Sequence, residues 1–117
     1  MPAGIYDIII EQGATFNFAL IWRDPSGMPI NLTGYTARMQ VRQTVTQPDP
    51  APLSLTTENG GITLGGPAGP INVLATPVQT AGLSFRAGVY DLELVSPGGE
   101  VTRLVQGSVV VSPEVTR

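Results

Sequence analysis

The chain has no cysteine, no histidine and no lysine among its 117 residues. Without cysteine there is no disulfide framework, so the fold must stand on packing and is compatible with a reducing cytosol. Missing His and Cys also remove the usual zinc ligand sets, thiolate and imidazole nucleophiles and Ser/His triads. The missing lysine removes Schiff-base chemistry and a phosphate-loop lysine. Charge is scarce as well: 13% of the residues are charged, against roughly 25% in ordinary soluble proteins. The net charge is −3, with arginine supplying all six basic residues, and a nucleic-acid footprint needs the opposite sign. No apolar run approaches the roughly 18 residues of a membrane span. The opening MPAGIYDIII lacks the basic n-region of a signal peptide, so neither standard secretion nor membrane insertion is expected. This inventory points away from an enzyme, with no catalytic residue, no cofactor and no metal.

What is present reads as all-β. Fourteen glycines and eleven prolines interrupt any long helix, and Val, Ile, Thr and aromatics fill the runs between them. Phe16, Phe18, Leu20 and Trp22 take every second position, with Ala19 and Ile21 blurring the outer face. Tyr35, Ala37, Met39 and Val41 alternate more cleanly with polar neighbours, as do Tyr90, Leu92 and Leu94. This period of two belongs to half-buried strands, and it predicts a core built from these side chains. Asp24-Pro25-Ser26-Gly27 and Ser96-Pro97-Gly98-Gly99 supply turn chemistry. Short strands are expected at Ile30–Thr33, Leu53–Thr56, Ile62–Leu64 and Ile71–Ala75, and Thr76-Pro77 can open a single helical turn. Seven or eight strands in one domain spanning 1–117 predict a two-layer antiparallel β-sandwich of immunoglobulin-like architecture, without the Cys/Trp/Cys signature. The Pro-rich stretch 47–52 is a loop or exposed arm, and mobility is expected there.

Few residues invite chemistry. Asp91 and Glu93 lie on one strand face about 7 Å apart by strand geometry, between the spacings of the two glycosidase classes. A solvated face balanced by Arg38, Arg42 or Arg103 accounts for the pair more simply. The glycines at 60, 61, 65, 66 and 69 fit no phosphate-loop spacing and read as turns. Asn31-Leu32-Thr33 matches a glycosylation sequon by chance, and the scattered acids form no calcium loop. Trp22 offers a sugar-stacking platform, but its alternating position assigns it to the core.

Three stretches carry a resemblance: EQGATF at 11–16, LTGYTARMQVR at 32–42 and YDLELVSPGG at 90–99. With them nearly the whole chain resembles a family of small virion proteins encoded among tailed-phage tail genes. It is similar to the immunoglobulin-like N-terminal domain of phage baseplate upper proteins. The resemblance implies a structural virion protein, made in the host cytoplasm, that attaches fibre or receptor-binding parts to the tail or baseplate. Its partners would be other virion proteins, and it would be a homo-oligomer within the assembly. A capsid decoration or neck protein is the nearest alternative, and a carbohydrate-binding module is one from a different class. The stretch Pro48–Pro52 departs from the family pattern.

A positive mean hydropathy suggests apolar surface that meets a neighbour. The expected interface is the N-terminal strand, through Ile5, Tyr6, Ile8 and Ile10, together with the loop prolines Pro48, Pro50 and Pro52. The first run offers more apolar surface than one sheet face buries, and a stiff loop loses little entropy on docking. A central strand buried on both faces is the competing reading of residues 5–10.

Overall fold

Alternation along the chain becomes strands wherever the apolar positions find a second layer. The computed structural model describes residues 3–116. In chain order the elements are β1 (Gly4–Ile5), β2 (Ile8–Glu11), β3 (Phe16–Ile21), β4 (Thr36–Arg42), β5 (Leu53–Thr56), β6 (Ile62–Leu64), β7 (Pro70–Ala75), α1 (Pro77–Ala81), β8 (Ala87–Val95) and β9 (Val101–Ser112). They form an all-β, immunoglobulin-like sandwich. The larger sheet runs β1-β9-β8-β4-β5 with β2 also on β9, and the smaller sheet runs β3-β7-β6.

In the larger sheet Ala37, Met39 and Val41 face Leu94, Leu92 and Tyr90 across the β4–β8 ladder, and all six are buried. Leu20, Phe18 and Phe16 oppose Ile71, Val73 and Ala75 in the smaller sheet. One apolar cluster joins the two layers. Phe16, Phe18, Leu20, Trp22 and Tyr35, expected within the core, are only partly buried and pack against it. Phe16, Phe18 and Leu20 lie on β3, which closes its sheet with one neighbour. An edge alone does not leave a strand open, since Leu53 and Leu55 on the edge strand β5 are buried. Ile30–Thr33 joins no ladder as a strand: Ile30 and Leu32 donate to the Trp22 and Gly66 carbonyls, and the piece ends in a turn at Thr33-Gly34. Asn31 Oδ1 accepts the Thr33 N–H at 3.0 Å and the Thr33 hydroxyl at 2.7 Å, so the sequon residues bond to one another.

The N-terminal segment is the parallel exception among antiparallel ladders. β1 pairs Ile5 with Gln106, and β2 pairs Ile8 with Val109 and Ile10 with Val111. The strand breaks at Tyr6-Asp7, where the chain crosses Gly107 so closely that a Cβ there would lie 2.3 Å from the Tyr6 carbonyl oxygen. Two side chains repair the break: Asp7 Oδ1 accepts the Ser108 N–H at 2.9 Å, and the Tyr90 hydroxyl donates to the Tyr6 carbonyl. The segment is therefore an edge strand with one face in the core, not a central strand buried on both.

The connection from β2 to β3 is anchored from the other end of the sandwich. Thr76 caps α1, accepting the Gln79 N–H at 3.2 Å while Gln79 Oε1 accepts the Thr76 N–H at 2.9 Å. This reciprocal capping box holds a helix too short to stand alone. The buried Thr80 hydroxyl then donates to the Ala14 carbonyl at 2.8 Å and accepts the Gly13 N–H at 3.1 Å. Gln12 Nε2 reaches the Leu83 carbonyl at 2.9 Å.

Candidate interaction surface

The outward face of the larger sheet is concave, with a depression of about 670 Å³ lined by β4, β8, β9 and the N-terminal segment. Registered rows cross it: Gln40, Asp91, Gln106 and Ile5 in one, and Arg38, Glu93 and Arg103 in the next. Arg38 Nε donates to Glu93 Oε1 at 2.8 Å, and Arg103 Nε lies 3.4 Å from Asp91 Oδ2. Burial pushes the Asp91 carboxyl above its ordinary range and Glu93 adds to the push, while Arg103, Arg38 and Arg42 oppose it. The arrangement is mutual neutralisation in partly exposed pairs, each contributing about 0–1 kcal/mol.

Arg42, a third candidate to balance these carboxylates, is engaged elsewhere. Its guanidinium donates to the Gln47 carbonyl at 2.9 Å, Gln40 Oε1 at 2.7 Å and Asp49 Oδ1 at 2.5 Å. These contacts tie the Pro-rich stretch back onto β4 as a loop rather than as an exposed arm. Pro48 and Pro50 are exposed and Pro52 is half-buried at the start of β5. Among the described residues no group of three His, Cys, Asp or Glu is placed to hold a metal ion.

Four exposed apolar side chains lie along one lateral side, where the N-terminal segment closes the larger sheet and β3 closes the smaller, while Met28, Val45 and Val78 are exposed outside it. Ile5 is 79% exposed and Ile9 66%, with Val110 directly opposite Ile9 and itself half exposed. Tyr6 leans across to the smaller sheet, its ring centroid 6.0 Å from Phe18, which lies 5.7 Å from Phe16. Of the expected interface residues, Ile5 and Tyr6 sit on this side and are exposed. Ile8 and Ile10 do not: they are 5% and 0% exposed and belong to the chain's own core. Parallel pairing with β9 turns every second residue of the segment inward, so both side chains are covered within the chain. The loop prolines lie with β4 and β5, at the opposite edge of the larger sheet.

Sequence reasoning passed over Ile9–Val110 as an exposed cross-strand pair and over the open edge of β3. The run Ile8-Ile9-Ile10 signals a strand but not which member faces out; that needs the β9 register. Trp22 sits edge-on to Tyr35 at 6.1 Å and is half-buried, so it packs rather than presenting a flat platform for a sugar.

No protein-family model matches the sequence, and no curated protein matches it. Solved structures similar in shape include the extracellular domains of the voltage-gated sodium channel β4 subunit, described as parallel homodimers that explain its role in cell–cell adhesion. That match has 9% identity, covers 98% of this chain and 97% of that one, and has a TM-score of 0.47. Tim-1 matches at 12% identity over 100% and 99% of the two chains, with a TM-score of 0.44. A structure from cross-linking analyses of multimeric cell-adhesive interactions of sodium-channel β subunits matches at 12% over 96% and 93%, with a TM-score of 0.45. These findings correct the functional expectation. None of these similar structures is a tail or baseplate protein, and no family model or curated protein supports a tail role. The tailed-phage assignment is withdrawn. Likenesses this distant give the chain no partner or activity in exchange.

Proposed function

We propose that this chain is a non-catalytic assembly domain that binds copies of itself through the lateral side where the N-terminal strand and β3 lie together. The observation that carries this reading is the concentration there of Ile5, Tyr6, Ile9 and Val110, all largely or half exposed, beside the half-buried Phe16 and Phe18. Covering the four exposed side chains on two copies contributes on the order of 10 kcal/mol. Set against the low end of the roughly 4–15 kcal/mol that association costs, this leaves about −6 kcal/mol, a weak and concentration-dependent contact. On the concave face Glu93 pairs with Arg38 and Asp91 with Arg103, and Asp7 accepts the Ser108 N–H, so each acid there has a structural partner.

Sedimentation equilibrium on the full chain tests the reading. Association that rises with concentration is expected. A chain that stays monomeric up to about 1 mM, where binding is weaker than about −4 kcal/mol, would overturn it.

A further inference from the structure

A strand at a sheet edge presents a row of unpaired N–H and C=O groups, and folded proteins blunt such edges with shortness, charge, proline or cover. Three of the four edges of this sandwich are blunted. β5 has four residues and follows the Pro-rich loop, and β6 has three. The N-terminal strand is broken at Tyr6-Asp7 and carries Asp7 and Glu11. β3 has no such device on its backbone edge; the Tyr6 ring packs against Phe18 on its inward face. Its six residues, Phe-Asn-Phe-Ala-Leu-Ile, contain no charge and no proline and keep an unbroken register with β7. Among the described residues, no hydrogen bond reaches its far side.

Resting on the self-assembly reading above, we infer that β3 pairs antiparallel with β3 of a second copy about a two-fold axis, merging two three-stranded sheets into one of six strands. The free edge specifies an extended strand as its occupant, and two features favour a second copy. The first is electrostatic. The outward residues of the smaller sheet, Asn17, Ala19, Ile21, Thr63, Asn72 and Leu74, include no charge. A copy therefore meets no like charge, whereas a charged strand would leave its charge unanswered. The second is the pattern itself. Opposed residues in a sheet share a face, so a two-fold sets the half-buried row Phe16, Phe18, Leu20 against its own counterpart. This continues the apolar layer between the sheets where it now stops. Isologous pairing also consumes the edge on both copies and closes the assembly, where a head-to-tail contact would propagate.

The test is sedimentation equilibrium on the full chain and four variants, each checked by circular dichroism and thermal melting. Wild type is expected to dimerise. Ala19→Lys and Asn17→Lys, both at exposed outward positions on the edge, are expected to weaken the dimer at least tenfold with an unchanged spectrum. Either variant suffices if the other fails to fold. Ala19→Thr, uncharged and suited to a strand, should keep the dimer, and so should Val45→Asp in the exposed loop after β4. A dimer that survives both lysine variants overturns the β3 pairing while leaving self-assembly standing. A monomeric wild type overturns both.

Discussion

The two lateral sides of the sandwich are built from the same alternating pattern and finish very differently. On one side β4 lies between β8 and β5, with the smaller sheet against it, and Ala37, Met39 and Val41 are at most 2% exposed. On the other, β3 has one neighbour, and Phe16, Phe18 and Leu20 remain half-buried although they too take every second position. Periodicity decides which face of a strand turns inward; depth depends on what the facing layer puts over it, since Leu53 and Leu55 on the edge strand β5 are buried while Phe16, Phe18 and Leu20 on β3 are not. The open side therefore depends on what is brought to it, by the N-terminal strand within the chain and by a second copy outside it.

Removing that internal cover is the largest expected perturbation. Deleting residues 1–10 takes Ile8 and Ile10 out of the core, each contributing about 1.5–3 kcal/mol, together with the parallel ladder on β9. The expected loss of roughly 3–6 kcal/mol is a large share of a domain's typical 5–15 kcal/mol, so urea unfolding should show a truncated chain that is unfolded or nearly so. If stability were unchanged, the N-terminal strand would not belong to the core, and the contrast between the two sides would collapse.

A smaller change loosens the same strand without removing it. A Cβ at Gly107 meets the backbone of Tyr6 at 2.3 Å, whereas one at Gly98 meets only Ser96 Oγ at 3.9 Å. Gly107→Ala should cost about 1–3 kcal/mol, as overpacking does, and speed amide exchange at Ile8–Ile10. Gly98→Ala should do neither. Equal effects from the two would mean that the close crossing at Gly107 does not hold the strand.

How much of this was legible follows from the range of the interactions. β5 and β6 were readable to the residue, and the Thr76 cap of α1 was readable in advance, because turns and caps are set by neighbours in sequence. The N-terminal strand was legible as a strand and illegible as a parallel partner of β9. Its register is fixed by Asp7 on Ser108 and by Tyr90 on Tyr6, contacts separated by 101 and 84 residues. Trp22 was placed too deep because alternation says nothing about an edge. On the concave face the spacing of Asp91 and Glu93 was readable, but not that Arg42 would turn to Asp49 and leave the pair to Arg38 and Arg103.

Tyr90 links the two sides, since its ring lies in the core and its hydroxyl donates to the Tyr6 carbonyl. Burial, then the nearby Tyr6 and Asp7, push its phenol from the ordinary 10.0 up to about 12. The folded chain holds this proton more tightly than the unfolded chain, so the stabilisation is complete below pH 10 and is lost as pH rises through about 12. Tyr90→Phe should cost about 1 kcal/mol at neutral pH through the lost hydrogen bond. It should also flatten the alkaline decline in urea midpoints measured from pH 8 upward. A decline of the same steepness in the variant would assign the alkaline loss to another group.

The concave face should respond least, which separates it from the lateral side as a contributor to stability. Burial and Glu93 disfavour the Asp91 charge, and Arg103 offsets them only in part. Asp91→Asn removes the disfavoured charge and keeps the shape. Solvent reaches the pair and screens it, so the variant should match wild type within about 0.5 kcal/mol at pH 7 and lie on the stabilised side. The acid limb fixes the sign. With its proton affinity raised by folding, wild-type Asp91 takes up a proton in the folded state first. Its penalty therefore fades as pH falls toward 3.8, and the gap between variant and wild type should close over the same range. A variant clearly less stable than wild type at pH 7 would mean that the Arg103 contact outweighs burial, and that this face helps hold the larger sheet together.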